Sequence, residues 1–305
     1  MNDSAGRLGD FLVIGAPKAG TTAFYRALAR HPRIFMTQPK EPMFFSFAGT
    51  PPRFAGPGGA AYARGFIHDE REYRRLFTSA APDAVAGEAS TIYLTCERAA
   101  ETAARYVPQA KLIAILRHPV ERAYSQYLHV RHEGNEPCTS FERAWDADDR
   151  RHAEGWVPGA CYRRMGFYAA GLSRWLRHYP RERLLILFYE EWCARPAQVL
   201  DRTWRFLGVE PPLQSIVTRE NVSSLAPRWP WLHHRMIEDN PLRTWAQRFL
   251  PVVIRDAITT PLRRLNLKPA PQLAPMLRRR LATVYHDDLD HLQALTGRDL
   301  SAWRT

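Results

Sequence analysis

The chain of 305 residues is 45% hydrophobic and 24% charged, the balance of a folded globular protein with room for a full α/β core. No apolar run is long enough to span a bilayer, and the four cysteines (Cys96, Cys138, Cys161, Cys193) lack the paired spacing of a zinc knuckle or a disulfide framework. The formal net charge of +12 points to anionic partners, but the arginines are spread along the chain and no block of lysines marks a nucleic-acid tail.

The start of the chain has no basic opening followed by an apolar stretch, so the expected location is cytoplasmic. Residues 11–14 form a short apolar run before Gly15 and read as a buried parallel strand. A helical pattern follows over residues 21–29, with Phe24 and Leu28 four apart, until His31 and Pro32 stop it. Residues 34–36 read as a second strand. Residues 49–65, rich in Pro and Gly and without a period, read as a long surface loop. Residues 85–87 and 111–116 give the third and fourth strands, and Pro119 opens a helix running to about His132. An amphipathic helix over 168–178 and a fifth strand over 184–188 complete the alternation. Such alternation implies βαβ units, hence a P-loop-type three-layer α/β fold with a mostly parallel sheet of about five strands. The expected organisation is one domain over 1–305, with a helical lid or extension at 230–265 and a C-terminal helix and tail at 275–303.

The first motif is Gly15, Ala16, Pro17, Lys18, Ala19, Gly20, Thr21 and Thr22, between a strand and a helix. Backbone N–H groups and the helix dipole can hold a phosphate there. The spacing is close to that of a nucleotide-triphosphate loop, but Thr21 stands where the lysine belongs, and the lysine comes three residues earlier as Lys18. A triphosphatase needs the late lysine and a magnesium site. An early lysine suits a leaving phosphate with no metal required.

The second motif follows the fourth strand: Arg117, His118 and Pro119, then Glu121, Arg122, Tyr124 and Ser125. Ligands of open α/β sheets bind outside the carboxyl ends of the strands, so Arg117 faces the same crevice as the first loop. Arg117 and Ser125 together make a reasonable clamp for a second phosphate. With both motifs in place the chain resembles the sulfotransferases that use 3′-phosphoadenosine-5′-phosphosulfate (PAPS), above all bacterial members and the heparan-sulfate branch. The resemblance implies that Pro17, Lys18, Ala19, Gly20, Thr21 and Thr22 bind the 5′-phosphosulfate, and that Arg117 and Ser125 bind the 3′-phosphate. PAPS is then the co-substrate and 3′-phosphoadenosine-5′-phosphate (PAP) the product. The family also closes a basic loop over the nucleotide ahead of its last long helix. Lys268 stands there, without the usual lysine–glycine–arginine, so a nucleotide contact and an ordinary Pro-rich linker are both open.

Sulfuryl transfer needs an acceptor held in line, a base for its proton and positive charge at the leaving phosphate. Lys18 can supply the charge. Lys40 and Glu41 precede Pro42, Met43, Phe44 and Phe45, and the resemblance to the heparan branch makes Glu41 the catalytic base. Some members use histidine instead. Of the eleven here, His118 is expected to serve the strand–helix turn, and His129 and His132 to lie on a helix surface. Glu88, Ser90 and Tyr93 end a strand at the same crevice and are expected to line the acceptor pocket, with a core position open for Tyr93. The heparan branch carries a lysine after that glutamate; here it is Ala89, which weakens the case for a heparan-like acceptor. The expected acceptor is a small molecule or glycan offering a hydroxyl, on a carbohydrate, a lipid-linked compound or a secondary metabolite, and nucleic acid is not an expected partner. Competing readings are a P-loop small-molecule kinase and a non-catalytic binder of an anionic polymer. Trp245, Phe249, Leu250, Val252 and Val253, among arginines, fit either a peripheral membrane contact or a lid.

Overall fold

A computed structural model describes residues 7–212, 225–227, 267–269 and 271–305, with 225–227 and 267–269 described by their backbone alone. Five strands form one parallel sheet in the order β2-β3-β1-β4-β5: β1 (Phe11–Gly15), β2 (Ile34–Met36), β3 (Val85–Ala89), β4 (Lys111–Leu116) and β5 (Leu184–Phe188). Every residue of β1 is buried, and so are Leu112 to Leu116 of β4, as the continuous apolar runs require of strands covered on both faces. The third strand runs two residues beyond the sequence expectation, to Ala89, and so draws Glu88 into the sheet. Gly87 has no side chain because Phe11 lies across it; a Cβ there would stand 2.4 Å from the Phe11 ring.

Helices pack around the sheet: α1 (Thr21–Ala29), α2 (Phe44–Phe47), α3 (Gly59–Ala63), α4 (Glu70–Arg75), α5 (Ala99–Tyr106) and α6 (Pro119–His132) come first. The stretch over 49–65 lies mostly at the surface, as expected, but it contains the short α3, and Phe54 and Tyr62 pack on the rings of Phe47 and Phe66 that flank it. Phe47 and Phe66 stack with centroids 5.4 Å apart, and Tyr62 meets Phe66 edge-on at 4.7 Å. Its backbone is pinned to a distant segment, with Ala55 N–H donating to Gly155 C=O at 2.9 Å.

After α7 (Phe141–Asp146) and α8 (Asp148–Ala153) come α9 (Tyr168–Leu176), α10 (Tyr189–Ala194) and α11 (Pro196–Leu207). The C-terminal helix expected over 275–295 is broken into α12 (Pro275–Ala282), a single 3-10 turn at Thr283–Tyr285, and α13 (His286–Thr296). β-Branched Thr283 and Val284 sit at the break, and Tyr285 is drawn fully into the core, where its hydroxyl donates to Arg163 C=O at 2.8 Å. Asp288 of α13 then caps α9 from far along the chain, accepting from Ala169 N–H at 3.1 Å and Ala170 N–H at 3.2 Å. Leu225–Pro227 and Leu267–Pro269 pair as antiparallel strands. Residues 230–265, expected as a lid, lie outside the described residues, as do Trp245, Phe249, Leu250, Val252 and Val253. Among the described residues no helix is long and apolar enough to cross a membrane.

Candidate active site

Both sequence motifs meet at the carboxyl ends of β1 and β4, the two neighbouring central strands. α1 starts at Thr21, and its N-cap, Gly20, has φ 78° with no side chain capping the helix terminus. The first N–H groups of α1 therefore face outward without intrahelical partners. Glycine is needed at position 20 twice over: a Cβ would be strained at that φ and would stand 3.0 Å from Trp192 and 3.1 Å from Tyr189. Lys18 also has a left-handed backbone (φ 64°), and the Arg117 guanidinium bonds across the loop to Lys18 C=O at 3.0 Å. Burial pushes the Lys18 ammonium below its ordinary range; Glu133 opposes that shift, and Arg117 and Lys40 add to it.

Arg117 lies over the Tyr189 ring at 4.6 Å, which orients its plane. Ser125, one face along α6, is 9% exposed and lines a cleft of about 340 Å³ together with Arg117, Tyr124 and residues 271–273. The Tyr124 hydroxyl donates to Pro271 C=O at 2.9 Å, so the segment just after Lys268 closes that cleft. Lys268 pairs by backbone with Ala226; its side chain is outside the described residues. His118 serves the turn, as expected, its Nδ1 accepting from Val120 N–H at 3.2 Å.

Glu41 arrives from beyond β2 and crosses to the end of β3. Its N–H donates to Ala89 C=O at 2.9 Å, and its carboxylate accepts from Thr91 N–H at 2.7 Å and from the Thr91 hydroxyl at 3.1 Å. Lys40 pairs with the same carboxylate. Among the described non-glycine residues, positive φ occurs at Lys18, Glu41 (65°) and Met43 (58°). Each such residue costs ~1–3 kcal/mol, and persists only where its surroundings over-determine it. Here all three belong to the two loops that face each other at the strand ends.

Glu88, Ser90 and Tyr93 do not line a pocket. All three are 0% exposed, beneath residues 43–45, and their polar atoms bond to one another. Ser90 and Tyr93 each donate to the Glu88 carboxylate at 2.7 Å, and the Tyr73 hydroxyl donates at 3.3 Å. Burial nonetheless pushes the Glu88 carboxyl up to about 7, outweighing those three hydroxyls and helped slightly by Glu41. The pocket expectation failed for Glu88 and Ser90 because β3 is longer than its apolar letters announce, while Tyr93 takes the core position that was left open for it.

His129 lies on the helix surface, as expected, its side chain 44% exposed, but it has neighbours that sequence reasoning did not name. His129 and Glu133, one turn apart on α6, lie 3.2 Å from each other, and both are within electrostatic reach of Lys18. Tyr62, on α3, has its phenol raised by burial and by Glu41 and Glu133. The spacing Ser125, His129, Glu133 is a helical face of period four, and was the available sign.

A sequence profile of the sulfotransferase family matches residues 10–212, and the chain belongs to that family. It is similar to human bifunctional heparan sulfate N-deacetylase/N-sulfotransferase 3, 36% identical over 212 residues, covering 67% of this chain and 23% of the human protein. A mouse relative, bifunctional heparan sulfate N-deacetylase/N-sulfotransferase 4, is 34% identical over 217 residues, covering 66% of this chain and 22% of its own. The chain thus spans under a quarter of the length of these curated relatives. The crystal structure of a sulfotransferase from Alicyclobacillus acidocaldarius superposes with a TM-score of 0.74 at 29% identity, covering 98% of this chain and all of that one.

Proposed function

We propose that the chain transfers the sulfuryl group of PAPS to an acceptor hydroxyl by in-line displacement, with Glu41 as general base and Lys18 stabilising the leaving phosphate. The observation that carries this reading is the gathering of Lys18, Arg117 and Lys40 at a helix terminus whose first N–H groups have no side-chain cap. Glu41 removes the proton of the attacking oxygen as the new oxygen–sulfur bond forms. The bond between sulfur and the 5′-phosphate oxygen breaks, and Lys18 with the N–H groups of residues 18–22 takes up the charge left there. Arg117 and Ser125 hold the 3′-phosphate in the adjoining cleft, closed by residues 271–273, with Lys268 as a further contact. Among the described residues no group of three or more His, Cys, Asp or Glu is placed to hold a metal ion, and nothing in this scheme calls for one.

The names of the relatives favour a second reading of the acceptor, an amino group on a glycan, for which the same base and the same donor site would serve. A screen with labelled donor against hydroxyl and amino acceptors separates the two.

Melting of the purified chain should rise with PAP in the absence of magnesium; a rise with ATP–magnesium alone would contradict the donor assignment. Arg117→Ala should weaken PAP by roughly ten- to a hundred-fold, the worth of a lost charge-assisted pair, and weaken the analogue lacking the 3′-phosphate much less. Equal losses for both nucleotides would remove Arg117 from the 3′-phosphate.

A further inference from the structure

Glu88 has no surface, no cationic partner and no place in the transfer step, yet it is a fully buried carboxylate in the middle of the fold. Such a group is expensive to keep, so its bonds show what it does. The Ser90 hydroxyl donates to one of its oxygens and accepts from Met43 N–H at 3.0 Å. The Tyr93 hydroxyl donates to the other and accepts from Phe45 N–H at 3.1 Å. Met43 is the left-handed N-cap of α2, with no side-chain cap of its own, and Glu41, also left-handed, lies two residues before it. The first N–H groups of that short helix therefore end on two hydroxyls, and both hydroxyls end on Glu88.

We propose that Glu88 is a positioning residue for the transfer reaction: through Ser90 and Tyr93 it fixes the segment that carries Glu41. The proposal rests on the reading of Glu41 as the base. An ionised carboxylate can only accept, so it forces both hydroxyls to donate inward and leaves their lone pairs for Met43 and Phe45 N–H. Protonation removes one acceptor site, and one hydroxyl hydrogen then loses its partner. The groups facing Glu88 are Tyr73 from α4, Ser90 and Tyr93 from the segment after β3, and Glu41 from the opposite loop, and none is cationic. Since its carboxyl titrates at about 7, raised by burial, the ordered arrangement is present above that pH and is lost as pH falls through it.

The test uses the full chain with Glu88→Gln, Ser90→Ala, Tyr93→Phe and Glu41→Gln. Three quantities are measured: amide hydrogen exchange at residues 41–47, PAP affinity, and transfer from labelled PAPS to N-deacetylated heparosan and to p-nitrophenyl glycosides. In Glu88→Gln, exchange at Met43 and Phe45 should quicken by at least about ten-fold while β1 and β4 amides stay protected. PAP affinity should stay within about two-fold and kcat fall by roughly 10–100-fold, the signature of misplacement and not of lost binding. The acid limb of kcat near pH 7 should vanish in this variant. Ser90→Ala should free Met43 alone and Tyr93→Phe should free Phe45 alone, and both serve if Glu88→Gln does not fold. Wild-type transfer by Glu41→Gln would overturn the base reading. Loss of transfer in Glu41→Gln with an unchanged kcat and pH profile in Glu88→Gln would overturn the positioning role. If none of these acceptors is turned over, exchange alone decides: continued protection of Met43 and Phe45 in Glu88→Gln overturns the proposal.

Discussion

Glu41→Gln should lower transfer by about 10²–10⁴-fold while leaving PAP affinity nearly unchanged, because the substitution removes a proton acceptor and keeps the shape. The amide can still accept from Thr91 N–H and from the Thr91 hydroxyl, as the carboxylate does, so the loop has little reason to move. What is lost is the site for the acceptor's proton. The salt link from Lys40 is lost too, but a partly exposed ion pair is worth only about 0–1 kcal/mol and cannot account for a rate change of that size. Single-turnover assays with labelled donor, run beside PAP titrations, separate the two effects. If transfer persists at the wild-type rate, the base lies elsewhere, and His129, within electrostatic reach of Lys18, becomes the group to replace next.

Lys18→Ala should cost about 10²–10³-fold in kcat, the range for removing one preorganised stabiliser of developing charge. Its loss of ground-state affinity should be smaller, since the N–H groups of the helix terminus and Arg117 remain. The pH dependence carries a signature. Burial lowers the pKa of the Lys18 ammonium, so its charge is lost at a lower pH than that of a free lysine. Wild-type transfer should therefore decline on the alkaline side as pH rises through that lowered pKa, and the decline should be missing from the residual activity of the alanine variant. Bound PAP would add negative charge beside Lys18 and carry the decline to higher pH in the complex. An alkaline limb identical in both proteins would take Lys18 out of the charge-stabilising role.

Much of the geometry around Lys18, Arg117 and Ser125 could be read from letters alone, because it is local. A buried strand, a turn that tolerates left-handed backbone at Gly20 and a helix start are all neighbours in sequence, and Arg117 and Ser125 share one helix entry. The acceptor side is different in kind. Glu41 is held by Ala89 and Thr91 about fifty residues away, and Met43 and Phe45 by Ser90 and Tyr93. No period or spacing announces such contacts. The misplacement of Glu88 came from the same source: its charge suggested a strand end at the crevice, whereas three hydroxyls make its burial tolerable. The broken C-terminal helix is a further case, where the burial of Tyr285 overrides a continuous helical pattern.

The short antiparallel pair formed by Leu225–Pro227 and Leu267–Pro269 brings two points of the chain side by side although some forty residues separate them. The chain at 267–269 thus lies beside 225–227, just ahead of residues 271–273, which line the cleft shared with Arg117 and Ser125. Two points held side by side in that way can be joined by connections of different length without rerouting the sheet, because the cost of closing a loop grows only slowly with its length.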